Sequence, residues 1–132
     1  MQVVHGVGWE EKGFETKIVV DTTEMRSPTH KVDCVKGRVA LEIEWNNKDP
    51  FFDRDLNNFR LLFDLRAISV GVIITKSEDL WDVFKGFGEG IIEKFGRTTT
   101  WMDKLLPRIE GGGGGGCPIL VFGITKAVMM EE

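Results

Sequence analysis

The chain has 132 residues, 42% hydrophobic and 29% charged, the usage of an ordinary soluble globular protein. That excludes a disordered tail, a collagen-like repeat or a disulfide-rich miniprotein, and the length suits one domain, residues 1–132, with a core of its own. Seventeen Lys and Arg against 21 Asp and Glu leave a formal net charge of −4, so whole-chain charge neither supports nor excludes a phosphate-binding surface.

Cys34 and Cys117 each lie in an apolar stretch and fit no paired metal-ligand spacing. Two buried thiols in a reducing compartment are expected in preference to a disulfide. No run approaches the roughly 20 apolar residues that span a bilayer. The start, Met1-Gln2-Val3-Val4-His5, lacks the basic and long apolar regions of a signal peptide. A cytoplasmic location is expected.

In chain order, residues 15–22 are β-branched and predict a strand. Arg26-Ser27-Pro28-Thr29 reads as a turn, because Pro28 biases Ser27 away from helix. Residues 30–35 and 38–45 predict two strands joined by a tight Lys36-Gly37 turn. In the second, Val39, Leu41 and Ile43 share one face and Ala40, Glu42 and Glu44 the other. Residues 53–66 carry Leu56, Phe59, Leu62 and Phe63 at helical spacing, with Asp55, Asn58 and Arg66 assigned to the far side. Asp53 reads as an N-cap, Asp55 as favourable to the helix dipole, and Arg60 as an i,i+4 partner of Asp64.

Residues 69–75 are nearly all apolar, as in a central strand covered on both faces. Residues 78–95 are helical in pattern but interrupted by Gly86, Gly88 and Gly90, and residues 102–110 predict a short helix containing Pro107. Gly111 to Gly116 form a run that must be mobile or tightly looped, and trimming it is expected to leave stability nearly unchanged. Residues 117–125 predict a second buried strand. Trp9, Trp45 and Trp81 are expected as core or interface anchors. The alternation of strands and helices indicates an α/β or α+β domain with a mixed sheet flanked by helices.

Asp33, Glu42 and Glu44 can converge, because a hairpin brings their strands together and Glu42 and Glu44 point the same way. Two readings of that face are open. It can be simply solvated, or three acids at about 4–6 Å can be held by protons or by a hard divalent cation such as Mg²⁺.

The stretch His30-Lys-Val-Asp33, followed by Val39-Ala-Leu-Glu42-Ile-Glu44-Trp-Asn-Asn-Lys-Asp-Pro-Phe-Phe-Asp-Arg-Asp-Leu56, resembles the BglII-like type II restriction endonucleases of the PD-(D/E)XK superfamily. The resemblance continues through Phe59-Arg60, the strand from Val70 to Thr75, and Gly115-Gly116-Cys117-Pro118 with Val121 to Thr125. It implies a restriction-endonuclease-like core and Mg²⁺-dependent hydrolysis of DNA phosphodiesters, with Mn²⁺ able to substitute. It further implies that Asp33, Glu42 and the main-chain carbonyl of Ile43 are metal ligands, with Asp33, Glu42 and Glu44 as the catalytic set. Glu44 departs from the Lys common in the superfamily, which suits a group that orients water or contacts metal. Duplex DNA is the implied substrate, a homodimer the implied assembly, and a cognate DNA methyltransferase a candidate partner. The alternative is a catalytically degenerate nuclease-fold protein that binds DNA or a partner without cleaving.

For DNA contact the candidates are Lys48, Asn46, Asn47, Arg97, Thr98 and Thr99. Each has a plainer reading: a solvated loop lysine for Lys48, turn formation for the asparagines, and an ordinary connecting loop for residues 97–100, which with Trp101 form the candidate recognition loop. His30 reads either as a DNA or metal-water contact or as a satisfied structural histidine.

Overall fold

Strand pairing in this α+β domain brings two acidic strands together under a helix. The computed structural model describes residues 8–20, 22–28, 31–45, 47–48, 50–88, 90 and 96–127. Its strands are β1 (Glu10–Lys12), β2 (Glu15–Val20), β3 (Thr23–Pro28), β4 (Val32–Lys36), β5 (Val39–Ile43), β6 (Val70–Lys76) and β7 (Ile119–Ile124). Helices are α1 (Pro50–Asp64), α2 (Leu80–Lys85) and α3 (Met102–Glu110).

Five strands form a sheet in the order β1-β4-β5-β6-β7. The β1–β4 and β4–β5 pairs are antiparallel, whereas β5–β6 and β6–β7 are parallel. Parallel pairing needs a crossover, and α1 supplies the one between β5 and β6. Strands β2 and β3 pair only with each other, from Glu15↔Pro28 to Val20↔Thr23.

Three local expectations need correction. β3 runs through Arg26-Ser27-Pro28, where a turn was expected; Pro28 ends a strand of a two-stranded ribbon, a position that tolerates the missing donor. β1 is too short and too charged to show a strand pattern. In the interrupted segment the described helix is confined to α2, with residues 89 and 91–95 outside the described set.

Both faces of the sheet are covered. On one, Ala40 and Ile73 pack with Phe52, Leu56, Phe59 and Leu62 of α1, Leu105 of α3 and Cys117. Gly71 permits the close approach: a Cβ there would lie 2.4 Å from the Phe59 ring. On the other, Cys34, Leu41 and Val72 are covered partly by Trp9. A third cluster joins Leu80, Phe84 and Trp101 with Trp45 and Trp81. The cysteines are buried and free, one in each of the first two clusters.

The first turn of α1 reaches back to Pro50, so Asp53 lies inside the helix and not at its cap, where its carboxylate accepts Arg108 Nε at 2.9 Å. α1 ends in a Schellman pattern, with Ala67 N–H donating to Leu62 O and Arg66 N–H to Phe63 O. Arg66 occupies the left-handed position, at φ 61°. Arg60 donates to Asn57 instead of pairing with Asp64.

The glycine run is an ordered series of turns. Gly111, Gly112 and Gly113 donate to Pro107, Ile109 and Arg108, and Cys117 N–H donates to Gly114 O. Gly112 and Gly115 have φ of 88° and 60°, and a Cβ on Gly113 would lie 2.8 Å from Arg108 O. The expectation that the run could be trimmed freely therefore fails.

Candidate active site

The Lys36-Gly37 turn, with Gly37 at φ 58°, sets the register Cys34↔Leu41 and Val35↔Ala40. Continuing it by one pair places Asp33 beside Glu42. The Asp33 carboxylate accepts the Ile43 N–H at 3.2 Å and reaches the Glu42 carboxyl for a hydrogen bond.

Glu42 and Glu44 share the face of Ala40, which α1 covers. Each is only 1% exposed, so the solvated-face reading is overturned. Polar alternation along β5 suggested water; a helix lies there instead. Asp33, at the rim of this cover, is half-buried.

α1 adds a carboxylate that the sequence reading had placed on the far side. Asp55 is fully buried, and one oxygen each from Glu42, Glu44 and Asp55 lie within 4.8 Å of one another. Phe52, Asp55, Leu56, Phe59 and Leu62 are all buried. An acid on the apolar stripe of an amphipathic helix was the available signal, since the spacing i, i+3, i+4, i+7 marks one face. Asn58, also assigned to the far side, is buried too.

Burial first, then the hydrogen bond and charge of Asp33, then the charge of Glu44 push the Glu42 carboxyl up to about 9. Burial, followed by Glu44 and then Glu42, raises Asp55 as well. Such crowding requires either bound protons or a cation. The ligand atoms on offer are carboxylate oxygens, and both oxygens of Asp55 are buried without a hydrogen-bond donor among the described residues. That set fits a hard divalent ion.

Around this centre the chain ends of β5 and β6 gather the other candidates. Asn47 Nδ2 donates to Glu44 Oε2 at 2.7 Å. Lys48 bridges to Thr99 through the backbone, and its Nζ lies 3.2 Å from Thr98 Oγ1. Thr98 is exposed, whereas Thr99 is buried, its hydroxyl bonded to Gly96 O and accepting from Lys76 Nζ at 2.8 Å. Arg97 pairs with Asp103 and lies 4.8 Å over the Trp101 ring. Trp101 is a core residue with no exposure, not part of a polar loop. Asn46, His5 and His30 lie outside the described residues.

Lys76 was not singled out by the sequence. It is fully buried, donates to Trp45 O and Thr99, and sits 4.4 Å from the Trp101 ring centroid. Burial, then the charges of Lys104 and Arg97, lower it to about 8. It fastens the 96–100 loop to the sheet beside the carboxylates.

The sequence matches the family described as restriction endonuclease BglII/BglIII over residues 4–124. The chain belongs to that family. Among curated proteins no match of comparable significance is found. The mixed sheet and its helices are thus a restriction-endonuclease-like fold, and membership assigns the chain to the DNA endonucleases. No helix among the described residues is long and apolar enough to cross a membrane.

Proposed function

We propose that this restriction endonuclease family member is a Mg²⁺-dependent type II enzyme of the cytoplasm that hydrolyses phosphodiester bonds in duplex DNA at a short palindromic site. The observation that carries the reading is the convergence of Asp33, Glu42 and Glu44 on one face of the β4–β5 hairpin, at an edge where Asp33 remains half open. Asp33, Glu42 and the Ile43 carbonyl would hold the cation, with Mn²⁺ able to replace Mg²⁺. When bound, a divalent ion supplies Lewis acidity to the scissile phosphate and to the attacking water.

The chain's own residues prepare that chemistry. The Ile43 N–H fixes the Asp33 carboxylate. Asn47 fixes one oxygen of Glu44, which is thereby oriented to direct a water. Lys48, Asn47, Thr98 and Arg97, with Asn46, border the site and would approach the DNA; Thr99 contributes by shaping the loop from within. Contact between Arg97 and phosphate would compete with Asp103. A homodimer matches a palindromic site by symmetry. A cognate DNA methyltransferase is the partner that would shield the host's own sites.

A second reading, DNA or partner binding without cleavage, is favoured by Glu44 standing where the superfamily commonly has Lys. Incubating purified protein with plasmid and phage-length duplex DNA, in Mg²⁺ or in EDTA, separates the two. Discrete Mg²⁺-dependent fragments that vanish with Asp33→Ala support the enzyme, and sequencing their ends gives the target. Intact DNA in Mg²⁺ and in Mn²⁺ overturns it.

A further inference from the structure

Two groupings of carboxylates meet at Glu42. One is Asp33 with Glu42, at the half-open rim of the sheet. The other is Glu42, Glu44 and Asp55, beneath α1, and Asp33 does not join it. From the juxtaposition of these groups we propose that the protein holds two divalent cations that share Glu42: an outer one on the Asp33 side, and an inner one held by Glu42, Glu44 and Asp55. The outer position rests on the function proposed above; the inner one is additional to it.

Spacing supports the inner position. Two oxygens on one Mg²⁺ lie at most about 4.2 Å apart, and two on a larger cation such as Ca²⁺ up to about 5 Å. The three acids offer oxygens within 4.8 Å of one another, so small adjustments bring all three onto one hard cation. The second, independent observation is Asp55 itself. It has no exposure, and neither of its oxygens meets a donor among the described residues. A shared proton with Glu44 would occupy one Asp55 oxygen and leave the other unmatched. A cation engages the carboxylate without needing any donor from the protein.

The arrangement is also preformed. Phe52, Leu56, Phe59 and Leu62 seat α1 on the sheet, so its rotation aims Asp55 at Glu42 and Glu44. With exposures of 0–1% for its ligands, the inner ion lies behind the outer one as seen from solvent. Its task is therefore positional: it keeps Glu42 ionised and turned toward the outer ion, while DNA meets only the outer position.

The test is Mn²⁺ stoichiometry, read by electron paramagnetic resonance titration of the full chain at pH 8. Wild type is expected to bind two ions, and Asp55→Asn and Asp33→Asn one each. Asp55→Asn should also lower the affinity of the remaining ion at least several-fold. Glu44→Gln serves in place of Asp55→Asn if the latter does not fold, with the same loss of one ion. One ion in wild type, or an unchanged two in both Asp55→Asn and Glu44→Gln, overturns the proposal. One ion with DNA cleavage would remove the inner site and leave the endonuclease reading standing. Two ions without cleavage would do the reverse.

Discussion

In the absence of divalent cations the protein should become less stable as pH rises, and a divalent cation should abolish that loss. Glu42 titrates near 9 in the folded chain, against the model carboxyl value of 4.5. Between those values the folded state keeps a proton that the unfolded state has released. The folded pKa is raised, so this contribution is fully present below about 4.5 and is lost as pH climbs toward 9. The slope is about 1.4 kcal/mol per pH unit for each retained proton. From pH 6 to pH 8, Glu42 alone should cost about 3 kcal/mol, and Asp55, raised by the same burial, adds to it. At roughly 4 °C per kcal/mol for a chain of this size, Tm should fall by about 10 °C or more. Lys76 works in the opposite direction, but only above about 8, so the comparison stops there. The assay is differential scanning fluorimetry at pH 6 and pH 8, in EDTA and in 10 mM Mg²⁺. Bound cations replace the protons, so Mg²⁺ should raise Tm strongly at pH 8 and little at pH 6. A Tm in EDTA that stays flat between the two pH values, or an equal Mg²⁺ shift at both, would refute the reasoning.

The packing gives further expectations. Gly71→Ala should cost about 1–3 kcal/mol in urea unfolding, because its Cβ meets the fully buried Phe59 ring; a neutral change would mean that α1 sits further from the sheet. Ala at both Gly112 and Gly115 should cost about 1–2 kcal/mol per site, since both hold positive φ and Gly115 also abuts Arg60. Unchanged Tm would show that the glycine turns are not fixed. Arg66→Gly should stabilise by about 0.5–1 kcal/mol, because Arg66 holds the left-handed Schellman position that Gly fills without steric cost; destabilisation would mean that the exposed side chain makes a contact of its own.

Much of this was legible because local pattern and global fold agree. The hairpin around Lys36-Gly37, the amphipathic Leu56-Phe59-Leu62 stripe and the apolar 69–75 strand each read directly as what they form. The pairing of Asp33 with Glu42 and Glu44 followed from strand alternation and hairpin geometry alone. What escaped depended on contacts distant in sequence. Alternation along β5 looked like one wet face, because only α1 reveals that the acidic face is covered. Asp55 was discounted for being charged, although its position on the stripe is that of a core residue. Lys76 closes an apolar strand and shows its role only where Trp45, Thr99 and Trp101 surround it. Composition marks the glycine run as flexible, yet neighbouring atoms of α1 and α3 leave no room for side chains at Gly113 and Gly115.

The central claim is that this buried acidic centre cuts DNA, and Glu42→Gln addresses it most directly. The substitution keeps the shape of a side chain that is 1% exposed and removes its charge, so the metal-free fold should be retained at pH 8. Single-turnover cleavage of a duplex carrying the mapped site, in 10 mM Mg²⁺, should fall by at least about a thousandfold, the scale of losing a principal electrostatic contributor. A Glu42→Gln protein that is folded and cuts at the wild-type rate would contradict the account.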